Sequence, residues 1–279
     1  MLNWVTKYLI IIVFLFESCV DNKSEELVYT PKHDVKKRDS VIIYDNGISI
    51  LKCLYLYESD TLMFRLSLPS DNNLNGTYPV LLFFHGAGER GNDNTSQMSY
   101  ISELIETEEF KSKSCIAIIP QCPLSSIWVD ADWTQSKSVF KDNPENSMML
   151  TFNLLDYIIK NYSADTNRMY VMGISMGGFA TWDIITRYPG KFAAAVPICG
   201  GGDETKAEMI GNTPVWAFHG SKDKLVNVSR SRNMVNTLKE MSSYVKYTEY
   251  ENVGHNAWTY ALKEKDLVEW LFSQSRKSR

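Results

Sequence analysis

The sequence predicts an α/β fold, in which a mostly parallel central sheet is covered by helices on both faces. Short apolar or β-branched runs recur along the chain, and segments with the helical spacing of apolar residues separate most of them. A Gly-x-Ser-x-Gly pattern joins one of these runs to the helical segment that follows it. The length of 279 residues, with 44% hydrophobic and 22% charged residues, agrees with a single globular domain of this class.

Six of the apolar runs are expected to be buried strands of the sheet, since helices alternate with them. These runs occupy residues 80–84, 115–119, 168–174, 192–197, 214–219 and 246–250. Helices are expected over residues 148–162, 176–187, 229–241 and 258–273. Ahead of them, the strand-like residues 48–57 and 61–68 are broken by Glu58-Ser59-Asp60, which predicts an antiparallel hairpin.

The N-terminal residues differ in character from the rest of the chain. Lys7 precedes an apolar run over residues 8–16 that is too short to span a bilayer, so residues 1–18 are predicted to be a signal peptide. Cys19 resembles the cysteine that is lipidated in bacterial lipoproteins, which predicts a periplasmic, outer-membrane or cell-surface protein tethered to a membrane. Ordinary secretion stays open, because Phe16 and Glu17 are unusual before such a cysteine. Residues 19–39 are expected to be a flexible tether and residues 40–279 the folded domain.

Charge and cysteine content argue against two classes of function. The net charge is −4 and no basic stripe is present, so no nucleic-acid partner is expected. The cysteines at 53, 115, 122 and 199 include no Cys-x-x-Cys pair and no neighbouring histidine cluster, so no metal site is expected. Export permits a disulfide between Cys115 and Cys122, but a strand beginning at Cys115 would carry the two apart, and buried free thiols are expected.

Ser175 is the candidate nucleophile, because it lies between a predicted strand and a predicted helix in the pattern Gly-Ile-Ser-Met-Gly. A serine in a tight strand-to-helix turn has a strained backbone and needs small neighbours, which Gly173 and Gly177 provide. The helix that follows directs free N–H groups towards the place where an oxyanion would form. The alternative is a glycine-rich turn with an incidental serine.

A serine hydroxyl needs a general base, and His255 is the best candidate for it. His33 lies in the predicted tether, while His85 and His219 each precede a glycine at the end of a predicted strand. His255 alone follows the predicted last strand in a loop, in the chain order serine, acid, histidine. The alternative is a surface histidine in a turn.

Asp223 is the candidate acid that would orient the histidine. It lies just beyond the predicted strand 214–219, where its carboxylate could hold one tautomer of an imidazole ring. Asp203 and Glu204, which follow the preceding strand, are rival candidates. The alternative for Asp223 is to cap a turn or the next helix.

Two backbone N–H groups are expected to bind the oxyanion. One belongs to Met176, directly after the candidate nucleophile. The other is expected in the glycine-rich loop 85–91, where Ala87 is the first choice and Gly88 the second. That loop lacks the Gly-Lys-Ser/Thr ending and the dinucleotide spacing of phosphate-binding loops, so no nucleotide cofactor is expected.

Three tryptophans are candidates for substrate contacts. Trp128 and Trp133 lie in a polar loop, where a platform for a sugar or aryl group and a structural role are both open. Trp258, three residues after His255, could line the site or anchor its helix in the core. Only residues 200–213 separate two predicted strands here, too few for an inserted cap domain, so the site is expected to be open.

These motifs occur together and in order: His-Gly-Ala-Gly-Glu-Arg-Gly at 85–91, Gly-Ile-Ser-Met-Gly-Gly at 173–178, His-Gly-Ser-Lys-Asp at 219–223 and Gly-His at 254–255. With them the chain resembles α/β-hydrolases over residues 45–275, and within them the secreted bacterial esterases and "predicted peptidases" of the phospholipase/carboxylesterase and feruloyl-esterase-like group. The resemblance implies that Ser175 is the nucleophile, Asp223 the acid and His255 the base. It does not identify the ester.

The residues and the resemblance together predict a serine carboxylic-ester hydrolase that needs no metal or cofactor. The expected substrates are feruloyl or acetyl esters of plant polysaccharide, or aryl esters. One alternative is a serine peptidase of the prolyl-oligopeptidase type, although the segment before Ser40 is too short for the propeller usual there. Another is a non-catalytic carbohydrate-binding protein on a hydrolase fold. A lipase should carry an apolar lid, and the sequence shows none.

Overall fold

The protein is described by a computed structural model over residues 27–29, 39–45, 50–69, 76–241 and 244–276. The predicted signal peptide, Cys19 and the first two residues of the predicted hairpin, 48–49, lie outside these residues.

Ten strands form one sheet within the described residues. They are β1 (Leu27–Tyr29), β2 (Asp39–Asp45), β3 (Ile50–Tyr57), β4 (Asp60–Ser67), β5 (Tyr78–Phe84), β6 (Ile116–Pro120), β7 (Ala164–Ile174), β8 (Ala194–Ile198), β9 (Val215–Gly220) and β10 (Val245–Tyr250). Their spatial order is β1-β2-β3-β4-β6-β5-β7-β8-β9-β10. Pairing is antiparallel from β1 to β4 and between β4 and β6, and parallel from β6 to β10.

Seven α-helices accompany the sheet in the part of the chain that the structure describes. They are α1 (Ser102–Ile105), α2 (Glu108–Lys111), α3 (Asn146–Asn161), α4 (Met176–Arg187), α5 (Ser229–Glu240), α6 (Trp258–Ala261) and α7 (Leu267–Ser273). Short 3-10 helices span Ala87–Glu89, Ser96–Met98 and Glu204–Ile210.

The core has two layers because successive strand residues point to opposite faces of the sheet. Leu82 and Phe84 of β5 join the cluster that packs under α3, α4 and α5. Leu81 and Phe83 of the same strand join the cluster that packs under α1, α2, α6 and α7. Both faces of β5 are therefore buried, which explains why its sequence is apolar without polar alternation. The predicted α/β fold with helices on both faces of the sheet is confirmed.

The predicted hairpin is confirmed as β3 and β4, but two strands before it were missed. β2 has the β-branched run Val-Ile-Ile at 41–43, a signal that could have been used. β1 lies inside residues 19–39, which are predicted to be a flexible tether, and pairs with β2 antiparallel. The sequence Leu-Val-Tyr at 27–29 favours a strand by composition, a second signal that could have been used.

The predicted helix 258–273 is divided into α6 and α7. Between them the backbone forms turns, with Glu264 N–H bonded to Ala261 O and Leu267 N–H bonded to Glu264 O. The apolar residues before and after the turn are buried in one cluster, whereas the turn itself is charged. Apolar spacing alone could not detect this break, because both helices use the same buried face.

Other expectations concern cysteines and the loop after β8. Cys53, Cys115, Cys122 and Cys199 are buried free thiols, as expected, and no Cys115–Cys122 disulfide is present. The loop between β8 and β9 holds the single short 3-10 helix Glu204–Ile210, so no large cap domain covers this part of the sheet. Among the described helices, none combines the length and the apolar character that crossing a membrane requires.

Candidate active site

Ser175 occupies a tight turn between β7 and α4 and has a left-handed backbone conformation, with φ 53° and ψ −117°. Such a conformation is strained for any residue except glycine. The surrounding structure holds it, because Ser175 N–H donates to Ile198 O at 2.8 Å and Ser175 O accepts from Phe179 N–H at 3.1 Å. The serine side chain is thereby raised above the carboxyl end of the sheet.

The glycines on either side of Ser175 have no room for a side chain. A Cβ atom on Gly173 would overlap the carbonyl group of Gly177. One on Gly177 would overlap the carbonyl group of Phe84 at the end of β5. Both glycines are thus required because α4 begins in direct contact with the ends of two strands.

Ser175, His255 and Asp223 form a continuous chain of hydrogen bonds. Ser175 Oγ lies 2.8 Å from His255 Nε2, and His255 Nδ1 lies 2.7 Å from Asp223 Oδ2. Because Asp223 Oδ2 only accepts, Nδ1 carries the proton and Nε2 of the neutral ring is free to accept from the serine. The structure therefore brings together the three side chains that the sequence indicated, in the order a serine nucleophile requires.

The Asp223 carboxylate is buried and fully hydrogen-bonded. Oδ1 accepts from Leu225 N–H and Val226 N–H, each at 2.9 Å, while Oδ2 accepts from His255 and lies 3.2 Å from His219 Nε2. Burial by itself raises the pKa of this carboxyl group, but the hydrogen bonds from His219, His255 and Val226 outweigh burial and hold the pKa below its ordinary value. Asp223 is consequently an anion in the folded protein near neutral pH.

The rival acids are bonded elsewhere. Asp203 Oδ1 accepts from Thr205 N–H at 3.0 Å, and its Oδ2 accepts from Phe140 N–H, also at 3.0 Å. Glu204 accepts from Asn233 Nδ2 at 3.2 Å. Asp223 is the carboxylate that contacts His255.

The two expected oxyanion donors lie at neighbouring chain segments. Met176 begins α4, so its N–H has no acceptor within the helix. The loop before Ala87 touches the nucleophile, since a Cβ on Gly86 would lie 3.6 Å from Ser175 Cβ. Ala87 likewise begins a 3-10 helix and has a free N–H. Both N–H groups thus lack an intrahelical partner, and their part in binding an oxyanion stays a prediction.

Side chains hold this loop on both sides. His85 Nδ1 donates to Gly86 O at 2.6 Å, and its Nε2 accepts from Cys122 N–H at 2.9 Å, which defines a neutral ring protonated on Nδ1. Burial lowers the pKa of His85 to about 4, in agreement with a neutral ring. Arg90 donates from Nε to Ala87 O at 3.0 Å and from Nη1 to Ser126 O at 3.1 Å. The carbonyl groups of the loop are thereby turned towards these donors.

Trp128 does not have the exposed position expected of a substrate platform. Its side chain is 0% exposed, and its Nε1 donates to His85 O at 3.1 Å. The ring packs against Phe84 and His85, with centroid distances of 5.0 and 5.2 Å. The substrate-binding prediction is therefore wrong for Trp128, whose polar loop turns inward to support the loop 85–91.

The other two tryptophans are half-buried. Trp258 lies edge-on to His255, with a centroid distance of 5.1 Å and an interplanar angle of 89°, and also packs against Tyr100. Trp133 packs against the core cluster under α3, α4 and α5. Trp258 thus forms a wall of the site next to the candidate base.

A polar surface cleft adjoins the loop 85–91. Its volume is about 410 Å³, and Arg90, which bonds Ala87 O, is part of its wall. Asp130 and Lys141 also line it and form an ion pair of 2.5 Å. The cleft therefore offers charged and hydroxyl groups beside the loop 85–91, although Ser175, His255 and Asp223 do not line it.

Among the described residues, one group of side chains has potential ligand atoms close enough together to bind a metal ion. The potential ligand atoms of Cys199, Asp223 and His255 lie within 4.8 Å of one another. Burial raises the pKa of the Cys199 thiol to about 12, an effect that the Asp223 carboxylate reinforces. The thiol therefore stays protonated at neutral pH, and the other two groups are engaged with each other, so the set fits a metal poorly.

The sequence did not indicate the parts that His85 and His219 play around the site. Both were considered only as general bases and set aside. Their shared signal was a histidine followed by glycine at the end of a buried strand, which puts the ring beneath the site loops.

Comparison with known proteins gives a consistent result. Residues 74–266 match the family model described as Phospholipase/Carboxylesterase. The fold is similar to the crystal structure of a thermostable esterase, with a TM-score of 0.74 and 31% sequence identity, over 85% of this chain and 72% of that one.

Two curated relatives are similar at lower identity. An acyl-protein thioesterase 1 from Neurospora crassa is 25% identical over 223 residues, which cover 68% of this chain and 84% of the relative. A bifunctional acetylxylan esterase/xylanase from Neocallimastix patriciarum is 23% identical over 203 residues. That match covers 70% of this chain but 28% of the fungal protein, so the chain spans little more than a quarter of its length.

Proposed function

Because the chain belongs to the phospholipase/carboxylesterase family, an esterase family of α/β-hydrolase fold, we propose that it hydrolyses carboxylic esters through Ser175, His255 and Asp223. The observation that carries this proposal is the chain of hydrogen bonds from Ser175 Oγ to Asp223 Oδ2, with distances of 2.8 and 2.7 Å. A buried, ionised acid, a neutral imidazole and a strained serine are the parts that acyl transfer to serine requires.

In the first half-reaction Ser175 Oγ attacks the carbonyl carbon of the ester while His255 Nε2 takes the hydroxyl proton. The carbonyl oxygen becomes an oxyanion, which Met176 N–H and Ala87 N–H stabilise. Asp223 stabilises the imidazolium without taking its proton. The tetrahedral intermediate then expels the alcohol, which receives the proton from His255, and the acyl group stays on Ser175.

In the second half-reaction a water molecule replaces the alcohol. His255 Nε2 removes a proton from the water as its oxygen attacks the acyl carbon, and the same two N–H groups bind the new oxyanion. Collapse of this intermediate breaks the bond to Ser175 Oγ, which regains a proton from His255. The products are a carboxylic acid and the free serine.

The proposed substrates are acetyl or feruloyl esters borne by plant polysaccharide. The open site supports a bulky substrate, because the segment between β8 and β9 holds one 3-10 helix and no cap domain. The polar cleft beside Arg90 supports a hydroxyl-rich alcohol group. The similarity to an acetylxylan esterase/xylanase supports the same class.

Acetylated xylan and methyl ferulate would test the proposal, with Ser175→Ala as the inactive variant and Ser99→Ala as the control. Wild type and Ser99→Ala should release acid, and Ser175→Ala should lose activity by about 10³-fold or more. A fluorophosphonate probe should label wild type but not Ser175→Ala. Equal rates of hydrolysis by wild type and Ser175→Ala would contradict the proposal, and so would failure of the probe to label the wild type.

The cleft has its own test. Asp130→Ala removes one partner of the Asp130–Lys141 pair without altering any residue of the hydrogen-bonded chain. KM for acetylated xylan should rise several-fold, while kcat/KM for a small aryl acetate stays unchanged. Equal effects on both substrates would place the polysaccharide elsewhere.

We also propose that the protein is exported and tethered through a lipid on Cys19. The proposal rests on the sequence of residues 1–19. Growth with an alkyne-bearing fatty acid should label the wild type and leave Cys19→Ala unlabelled. Labelling of neither would leave ordinary secretion as the route, and labelling of both would place the lipid on a residue other than Cys19.

A further inference from the structure

The hydrogen bonds of the site continue past Asp223 into the core. His219, near the end of β9, has a side chain that is 0% exposed, and its Nε2 lies 3.2 Å from Asp223 Oδ2. Its Nδ1 lies 2.7 Å from Oγ of Ser231 on α5. With Ser175 and His255 on the other side, the site is a continuous Ser–His–Asp–His–Ser chain with Asp223 at its centre.

The neighbours of the His219 ring determine where its proton lies. Nε2 is 3.0 Å from Val226 O and 3.2 Å from Asp223 Oδ2, and both oxygens can only accept. Nε2 therefore carries a hydrogen, because a lone pair there would face two acceptors. Nδ1 lies 2.7 Å from the Ser231 hydroxyl, whose single hydrogen is shared between Nδ1 and Gly200 O, 3.0 Å away.

We propose that His219 is a positioning residue for the ester hydrolysis, whose Nε2–H holds Asp223 Oδ2 in line with the His255 ring. Ser231 in turn holds the His219 ring. This inference rests on the proposed function, since His219 reaches the substrate only through Asp223 and His255.

The geometry of the carboxylate carries the proposal. Its two oxygens have four lone-pair positions, and Leu225 N–H, Val226 N–H and His255 occupy three of them. The fourth faces His219 Nε2–H at 3.2 Å, a hydrogen that is shared with Val226 O at 3.0 Å. A carboxylate held in this way has a single orientation. Without the His219 donor, Oδ2 would keep one partner, and the direction of the His255 ring would be less well defined.

The expected effect falls on kcat. Neither His219 nor Asp223 contacts the substrate in the proposed mechanism, whereas the charge on His255 develops only in the transition state. A loosely held carboxylate therefore stabilises the transition state less and leaves ground-state binding as it was.

Two substitutions of His219 separate the donor from the volume of the ring. His219→Leu removes the donor, so kcat should fall about 10- to 100-fold while KM stays within about twofold. This fall in kcat is smaller than the roughly 10⁴-fold loss that is typical when the acid itself is disabled. His219→Gln can present an amide N–H near the position of Nε2 and should recover most of the loss. A Gln variant as impaired as the Leu variant would overturn the proposal.

A double-mutant cycle with Asp223→Asn is the decisive measurement, because a residue that acts through Asp223 has nothing left to act on. His219→Leu should then lower kcat by less than about twofold in the Asp223→Asn background. Equal losses in the two backgrounds would show a general structural role and overturn the proposal.

Ser231→Ala is a second variant that tests the role of His219 through kcat if His219→Leu does not fold. It leaves the imidazole in place but removes the hydroxyl that holds Nδ1, and kcat should fall by about threefold with unchanged KM. An unchanged kcat overturns the proposal. Labelling of Ser175 by a fluorophosphonate, scored in every variant, distinguishes failure of this inference from failure of the proposed function, which would abolish labelling in wild type as well.

Discussion

At the scale of single residues, His85 shows how a site can depend on a side chain that does no chemistry. Its ring joins Gly86 O to Cys122 N–H, and its own carbonyl group accepts from Trp128. The loop that contains Ala87 is thus held between β5 and the segment after β6. An N–H group fixed in this way stabilises an oxyanion without reorganising during the reaction.

Trp128→Phe tests whether this support is structural. The substitution leaves His85 O without its donor and opens a cavity, so the free energy of unfolding should fall by about 2–4 kcal/mol. KM for methyl ferulate should stay within about twofold. Urea denaturation together with steady-state kinetics would check this, and a raised KM with unchanged stability would instead return Trp128 to substrate binding.

At the scale of elements, the turn between β7 and α4 is defined by backbone contact. Gly177 in the first turn of α4 meets the carbonyl group of Phe84, and Gly173 meets that of Gly177. The helix can start at Met176 only because its first residues carry no bulk on this side. The strained φ of Ser175 follows from the same close approach.

Gly177→Ala should destabilise the protein by at least about 2–3 kcal/mol, since the added methyl group overlaps backbone atoms that cannot rotate away. Gly88→Ala is the matched control, because a Cβ at Gly88 would meet nothing within 4 Å. Thermal denaturation of both variants is the measurement. A Gly177→Ala protein as stable as the Gly88→Ala protein would contradict the close contact.

Helix α5 carries a buried charge without a hydrogen-bond partner. The side chain of Arg230 is 0% exposed and lies over the ring of Phe179 at 5.1 Å, but none of its guanidinium nitrogens bonds another described residue. Arg187 on α4 differs, since its Nε donates to the buried carboxylate of Asp183 at 2.7 Å.

Replacement of these two arginines by methionine should have opposite results. Arg230→Met removes an unpaired buried charge and should leave stability unchanged or raise it by up to about 4 kcal/mol. Arg187→Met leaves the Asp183 charge buried without its partner and should cost about 3–5 kcal/mol. Urea denaturation of the pair is the check, and a loss for Arg230→Met as large as that for Arg187→Met would contradict the contrast.

The elements that could be predicted from sequence are those with strong local signals. The start of α4 at Met176 was predicted to the residue, because glycines and a change of apolar period coincide there. The division of the last helix into α6 and α7 was not, since one buried face continues across the turn. β1 was missed although Leu-Val-Tyr at 27–29 favours a strand, because a run of three residues between polar segments is too short to show a period.

At the scale of the whole molecule, folding buries groups that must change protonation when the chain unfolds. Burial lowers the pKa of His85 from 6.5 to about 4, so the unfolded chain binds a proton in this range that the folded chain does not. The pKa of Asp223 lies below its ordinary value of 3.8. Both groups therefore stabilise the fold at neutral pH and lose that contribution on acidification.

The two contributions should disappear in separate pH windows. The His85 contribution, roughly 3 kcal/mol, should be complete above pH 6.5 and lost as the pH falls towards 4. The Asp223 contribution should be lost only below about pH 3.8. Urea denaturation at a series of pH values is the measurement. His85→Gln should lack the first loss and keep the second, and an unchanged slope in that variant would assign the first loss to other groups.

The sequence by itself determined the α/β fold and the order of Ser175, Asp223 and His255, because strand and helix periodicities and turn chemistry are local properties of the chain. The tertiary structure alone decided which carboxylate meets His255, that Trp128 faces inward, and that His219 lies behind Asp223. Two of these contacts join residues far apart in the chain, since 32 positions separate Asp223 from His255 and 43 separate His85 from Trp128. No local pattern specifies those two, because they depend on how β5, β9 and the loops above them pack in space. His219 and Asp223 are only four positions apart, and the turn after β9 brings them together.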